Sequence, residues 1–439
     1  MVVGCPCSCH VTMASPRRLV SHRNTQRVRR CALEDEGHVG FGTPRTGEEE
    51  NISETRRRMV AGAVTLLSLV LWKSDDAIAS SKDALRVREA KMVARIMALR
   101  GSVPQVWTAD FRTALEGYGI VSLTFKPTLQ DIYKELDSTT VDAVTLGDAW
   151  LDKAIRQGHI QPIEDPERYR YWKSLNPRWK RLVRRKGGDV YGIPYRWGCT
   201  VVVYRQDRLR TRLVDWDDLL KPSLRRKIAF MDSPREIVGI ALKTLGMSYN
   251  SNVTDMKHCG VSEDDVMRRV AALVSQARVV SNTDHIRAYS AGDVDVIVGS
   301  SDDLVSLAQK SSNSALFVPT SGTALWADLW CIPTRAAGGA EDGEPSPLLP
   351  AWFELCLQPV RAKPAAGLQR GASPILLPSV QHGRKSSCNP LWSPTDVQER
   401  LDPRELPSIH VLEKSEFLES LDDATISLYR AALASTTKR

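Results

Sequence analysis

What most restricts the fold of this chain is an alternation between strand-like and helix-like periods. Val121 to Phe125 alternates Val, Leu and Phe with Ser and Thr, the period-2 pattern of a half-buried strand. Leu129, Ile132, Tyr133 and Leu136 then fall at helical spacing, and Val141 to Gly147 is a short apolar run ending in a tight turn, which predicts a buried strand. Ala149 to Gly158 predicts a helix stopped by glycine. The cycle returns with Lys227 to Met231 as strand, Pro234 to Leu245 as helix and Asp293 to Gly299 as strand. Strands separated by helices pair in parallel, because a parallel neighbour needs a crossover long enough to hold a helix, so the chain is read as α/β. Ala324 to Pro333 predicts a further strand and Ala84 to Leu99 a basic helix. Lys414 to Ala434 predicts a terminal helix burying Phe417, Leu418, Leu421, Leu428 and Ala432.

With 439 residues, 42 % hydrophobic and 26 % charged, the chain can bury a sizeable core in two or three domains or one bilobed unit, and disorder throughout is excluded. The net charge of +8 rests on 60 basic against 52 acidic residues, too small an excess to mark a nucleic-acid binder. Asp165 to Gly188 is basic and aromatic, but no nucleic-acid motif accompanies it. It is read as a helical connector whose Trp side chains pack inward, and no nucleic-acid partner is expected. The chain lacks G-x-S-x-G, H-E-x-x-H, C-x-x-C, a Walker loop and G-x-G-x-x-G, so neither an enzyme nor a cofactor is expected. Cys5, Cys7, Cys9 and His10 match no usual zinc spacing, and no metal is expected. Ala336 to Pro350 and Ser379 to Pro403 read as loops, and a monomer is expected.

Met1 to Leu33 holds six arginines and no carboxylate, the bias of an organelle transit peptide. Thr55-Arg56-Arg57-Arg58 then precedes an apolar run from Met59 to Trp72 and Ala77-Ile78-Ala79, the order of an export signal with an A-x-A cleavage site, a buried helix or an uncleaved anchor being the other readings. Two such signals in series, the second with paired arginines, predict delivery to a chloroplast thylakoid lumen, with residues 1–50 as transit peptide and 51–79 as twin-arginine-like export signal.

Trp is unusually common, 11 against 7 Phe. On a strand from Ala324 to Pro333 the side chains of Trp326, Asp328 and Trp330 share one face. A carboxylate between two indoles is unfavourable inside a core. The same trio suits a cationic amine, which the rings attract through their faces and the carboxylate through a charge-assisted hydrogen bond. Plain core packing of the Trp residues is the other reading.

Tyr191-Gly192-Ile193-Pro194-Tyr195-Arg196-Trp197-Gly198, Trp216-Asp217-Asp218-Leu219-Leu220-Lys221-Pro222, Asp232-Ser233-Pro234-Arg235-Glu236 leading into Leu242-Lys243-Thr244-Leu245-Gly246, and Leu325-Trp326-Ala327-Asp328 with Ile332-Pro333 occur in a familiar order and spacing. Over roughly Val121 to Pro378 the chain resembles the bacterial spermidine/putrescine-binding proteins of polyamine transporters. The resemblance implies a type II periplasmic-binding-protein fold: two α/β lobes joined by crossing hinge strands, closing on a ligand. Lobe 1 is then 80–197, lobe 2 198–313, and 314–439 the return to lobe 1 with C-terminal helices. Cys199 to Tyr204 and Leu316 to Thr320 are the natural hinges.

It also implies a small-molecule amine ligand such as putrescine or spermidine, and with it a membrane permease as partner. Trp326 and Asp328 match the family's aromatic and carboxylate on the ligand amine. Glu236 matches a second carboxylate, though Ser233-Pro234-Arg235-Glu236 equally fits a capping box. The family often has a carboxylate where Ser233 stands and a Trp near Ser300. Asp148, Asp302 and Asp303 follow predicted strands at the ends where α/β sheets bind ligands, or else cap helices. Tyr195 and Trp197 line the cleft or pack the hinge. The alternatives to an amine trap are a lumenal scaffold or assembly protein that keeps the fold without small-molecule binding, and a small-anion binder using Arg196 and Arg235.

Overall fold

The structure is a computed structural model, and it describes residues 92–115, 119–336, 345–362, 368–376 and 406–437. The two targeting signals, the Cys5 to His10 cluster and the Ser379 to Pro403 loop lie outside the described residues.

The sheet is built from β1 (Met92–Leu99), β2 (Gly119–Lys126), β3 (Ala143–Gly147), β4 (Ile160–Gln161), β5 (Ile193–Arg205), β6 (Ile228–Phe230), β7 (Ala277–Val280), β8 (Val296–Ser300), β9 (Ser314–Phe317), β10 (Ala324–Pro333) and β11 (Glu416–Phe417). Its main path runs β2-β1-β3-β10-β5-β8-β6-β7. At each end the strands are parallel, β1 with β2 and β3, and β6 with β7 and β8, as helical crossovers demand. Between them β10 and β5 pair antiparallel with each other and with their outer neighbours, so the two parallel sets are joined by two long strands of opposite sense. β5 changes partners along its length: Ile193 to Cys199 pairs with β10, and Thr200 to Arg205 with β8 and β9. All of its residues from Ile193 to Tyr204 are buried, which is why Val201-Val202-Val203 carries no polar alternation.

Two sequence expectations are corrected. Ala84 to Leu99 is not a helix where it is described, since Met92 to Leu99 pairs along its whole length with β2. Ala94, Ile96, Met97 and Ala98 are buried between neighbours on both sides, and that burial outweighs the helix preference of Ala, Met and Leu. The terminal helix begins later than predicted. Phe417 sits in β11 beside Leu325, and the helix Asp423–Thr437 follows, with Asp422 accepting from the Thr425 N–H (2.7 Å). Its Leu428, Tyr429 and Ala432 dock on Val238, Leu242, Val266 and Val270 of the helices Pro234–Thr244 and Glu263–Gln276. The basic connector folds into short helical turns with Trp172 and Trp179 fully buried, while Arg178 is half-buried on the Leu412 and Ser415 carbonyls.

Candidate functional site

The candidate residues meet where β5 and β10 lie side by side. Pro194 lacks a backbone donor and cannot complete a central ladder. The register slips there: Asp328 faces Arg196 and Leu329 faces Pro194, leaving Tyr195 as the extra residue of a bulge. Two residues before Asp328, Trp326 faces Gly198. A Cβ at Gly198 would lie 2.3 Å from Trp326 Cζ2, so glycine is what lets the indole lie across the strand.

Arg196 fills the place this creates. Its Nε and Nη2 donate to Asp328 Oδ2 at 2.7 and 2.6 Å, Nη1 donates to the Arg370 carbonyl at 3.1 Å, and Asp302 Oδ2 stands 3.7 Å from Nη2. The guanidinium carbon lies 5.0 Å from the Trp326 ring centre, within cation-π range. Asp328 is 2 % exposed and Arg196 8 %. Burial opposes the charge on both partners and pushes the Asp328 carboxyl up, while Asp328 at 2.6 Å, with Asp302 behind it, holds the guanidinium above its ordinary range.

The other carboxylates approach from helix starts. Asp148 opens the helix Asp148–Arg156 without capping it, since Gly147 is the cap, and its Oδ1 accepts from the Ala327 N–H at 3.0 Å. Burial, with Asp328 nearby, pushes its pKa up to about 7. Asp302 and Asp303 stand in the first turn of the helix Ser301–Gln309 behind Ser300, whose hydroxyl donates to Asp302 (2.5 Å); Asp303 is exposed. Neither is the cap, so the capping alternative is corrected for all three: their carboxylates lie in the first turns, where the helix dipole favours them.

Glu236 forms half of the expected box. Ser233 Oγ accepts its N–H at 3.4 Å, but the carboxylate turns away from the cap and accepts from Thr200 Oγ1 at 2.9 Å on β5. Its Oε2 is buried with no hydrogen-bond partner, and burial pushes its pKa up to about 7.

The aromatic set divides. Trp326 is half-buried at the ion pair, whereas Trp330 is fully buried and stacks on Tyr195 at 4.2 Å. The predicted trio therefore does not act as one receptor, because Trp330 is committed to the core. Tyr195 bonds Ser102 (2.9 Å) and Thr145 (3.1 Å) through its hydroxyl, and Trp197 packs on Trp179 with Nε1 on the Ser373 carbonyl (3.4 Å). Arg235 is engaged elsewhere, with Tyr429 and Asn250. Sequence reasoning weighed Arg196 only as an anion ligand; the signal for its real place was Pro194, which forces the bulge that sets Arg196 against Asp328. Among the described residues there is no cluster of metal-ligating side chains and no helix long and apolar enough to cross a membrane.

Residues 126–341 match the family described as bacterial extracellular solute-binding protein. The chain is 26 % identical over 217 residues to the putrescine-binding periplasmic protein PotF of Escherichia coli K12, covering 45 % of this chain and 57 % of that one. It is 24 % identical over 196 residues to the spermidine/putrescine-binding periplasmic protein of Salmonella typhimurium, covering 44 % and 54 %. The chain thus spans a little over half the length of these curated relatives. In three dimensions it resembles the spermidine/putrescine ABC transporter substrate-binding protein PotD of Streptococcus pneumoniae, with a TM-score of 0.63, 17 % identity, and coverage of 79 % of this chain and 99 % of that one. The TpPotD lipoprotein of Treponema pallidum gives 0.57 and 16 %, covering 79 % and 100 %. Residues 126–341 are thus similar to the bacterial extracellular solute-binding proteins, and the chain carries the type II periplasmic-binding-protein fold.

Proposed function

We propose that this protein captures a small cationic amine of the putrescine and spermidine class between two lobes. The first comprises 80–197 with the return at 314–439, the second 198–313. The observation that carries this reading is the cage of Trp326, Asp328 and Asp302, which already surrounds a cation, the protein's own guanidinium. Asp148 on the Ala327 N–H and Glu236 on Thr200 supply further acidic groups beside β10 and β5 for a second amine. The names of the relatives point the same way. A membrane permease as partner follows from the same kinship, and delivery to the thylakoid lumen rests on the two signals in residues 1–79.

One observation favours a second reading. Because Arg196 occupies the cage, a scaffold or assembly protein that keeps the fold without small-molecule binding accounts equally for a site satisfied from within. The anion reading has less support, since both Arg196 and Arg235 are engaged internally.

A thermal-shift titration of the full chain with putrescine, spermidine, a monoamine and small anions separates these. Ligand at 100 times Kd adds about 2.7 kcal/mol to stability. A rise in Tm with the polyamines supports the amine trap; a flat response across the panel supports the scaffold, and a rise with anions alone the third reading.

A further inference from the structure

We propose that Arg196 is a tethered competitor for the amine site, a specificity-determining residue seated in the cation cage and held there by the strap of residues 368–376, which an incoming amine must displace. The proposal builds on the amine-trap reading but depends on geometry of its own. Three of the guanidinium N–H groups are spent on Asp328 and on the Arg370 carbonyl, and its face lies on Trp326, so the Asp328 Oδ2 and the indole face that would recognise a ligand cation are already in use.

The strap fixes this arrangement from behind. Ala372 makes a two-way bridge with Trp197, its carbonyl accepting at 2.9 Å and its N–H donating at 2.7 Å, while Gln369 Nε2 donates to Gln309 Oε1 at 2.9 Å. One short segment therefore ties β5 beside Arg196 to the helix that carries Asp302. Between those ties Gly371 adopts φ +79°, and a Cβ there would lie 2.3 Å from Arg196 Cγ and 2.8 Å from Cδ. The strap backbone thus rests on the arginine stem, and glycine is required both by the left-handed turn and by the close approach.

A competitor of this kind sets what the site accepts. The apparent affinity of a ligand falls by the fraction of molecules in which the cage is vacant. A single amine offers no more than the guanidinium it replaces, so the site favours ligands carrying a second cationic group that the acidic neighbours can hold.

The test is chemical replacement of the side chain. In Arg196→Ala, ethylguanidinium chloride at millimolar concentration raises Tm relative to an equal concentration of sodium chloride, and the wild type does not respond. Putrescine binds this variant at least about tenfold more tightly than the wild type by isothermal titration calorimetry. A folded Arg196→Ala that ignores ethylguanidinium, or that binds putrescine no better than a wild type that does bind it, overturns the proposal. A variant that responds to ethylguanidinium while neither protein binds putrescine upholds the tethered cation and rejects the polyamine reading instead. Should Arg196→Ala fail to fold, Gly371→Ala, which lifts the strap from the stem, decides. Faster amide exchange at Trp197 and Ala372 with a new response to ethylguanidinium or putrescine supports the proposal; wild-type responses to both overturn it.

Discussion

Replacing Asp328 by Leu leaves the Arg196 guanidinium nine-tenths buried with no carboxylate at hydrogen-bond distance, since Asp302 stands 3.7 Å off. At an effective dielectric of about 20, unit charges about 4 Å apart attract by about 4 kcal/mol. Removing one partner of a buried pair commonly costs about 3–5 kcal/mol, most of it the burden of the charge left behind. Asp302 and the Trp326 face retain part of the attraction, so Asp328→Leu is expected near the lower end, about 3 kcal/mol. Arg196→Met, which leaves Asp328 as the lone buried charge, is expected to lose a similar amount. The double variant puts apolar groups of comparable volume at both positions and is expected within about 1 kcal/mol of wild type. The coupling energy from the cycle is then about 5 kcal/mol or more, read from urea midpoints at a common m-value. Additive single losses, or singles that each lose under about 1 kcal/mol, refute an ionic pair at the centre of the site.

Glu236 gives a pH prediction with a definite sign. Its pKa is raised from 4.5 to about 7 in the fold, so the folded state holds the proton longer than the unfolded state. Its contribution is full at acid pH and is lost as pH rises from about 4.5 through 7. Denaturation of wild type and Glu236→Gln at pH 5 and pH 8 checks this: the variant loses less stability across the interval, and equal losses contradict it. Gly198→Ala drives a Cβ into Trp326 and to 2.5 Å from Ser301 Oγ, and is expected to destabilise by about 1–3 kcal/mol with a shifted tryptophan emission; unchanged stability and emission contradict the close approach.

The legible part of this fold is the part written in local period. Val121 to Phe125, Val141 to Gly147 and Ala324 to Pro333 carry their strands in their own patterns, and Ser233-Pro234 announces its helix. β1 was hidden because a strand covered on both sides needs no alternation, and its Ala, Met and Leu favour a helix until partners bury them. β11 was hidden because two residues beside Leu325 make sense only once the chain has returned from elsewhere. Around β10 the residue types were legible and their pairing was not. Trp326 and Asp328 read as a pair suited to a cation, but that Arg196 sits against them depends on register between β5 and β10, strands more than a hundred residues apart along the chain. Trp330 illustrates the same limit: it shares a strand face with Asp328, yet Tyr195 and Trp352 claim it for the core.

The most direct measurement of the central claim is a crystal structure of the full chain grown with saturating putrescine. The account predicts an amine nitrogen against the Trp326 face and within hydrogen-bond distance of Asp328, with the Arg196 guanidinium moved off Asp328 and the strap lifted from its stem. Arg196 still seated on Asp328, with no ligand density between β5, β10 and the helix that carries Asp302, contradicts it.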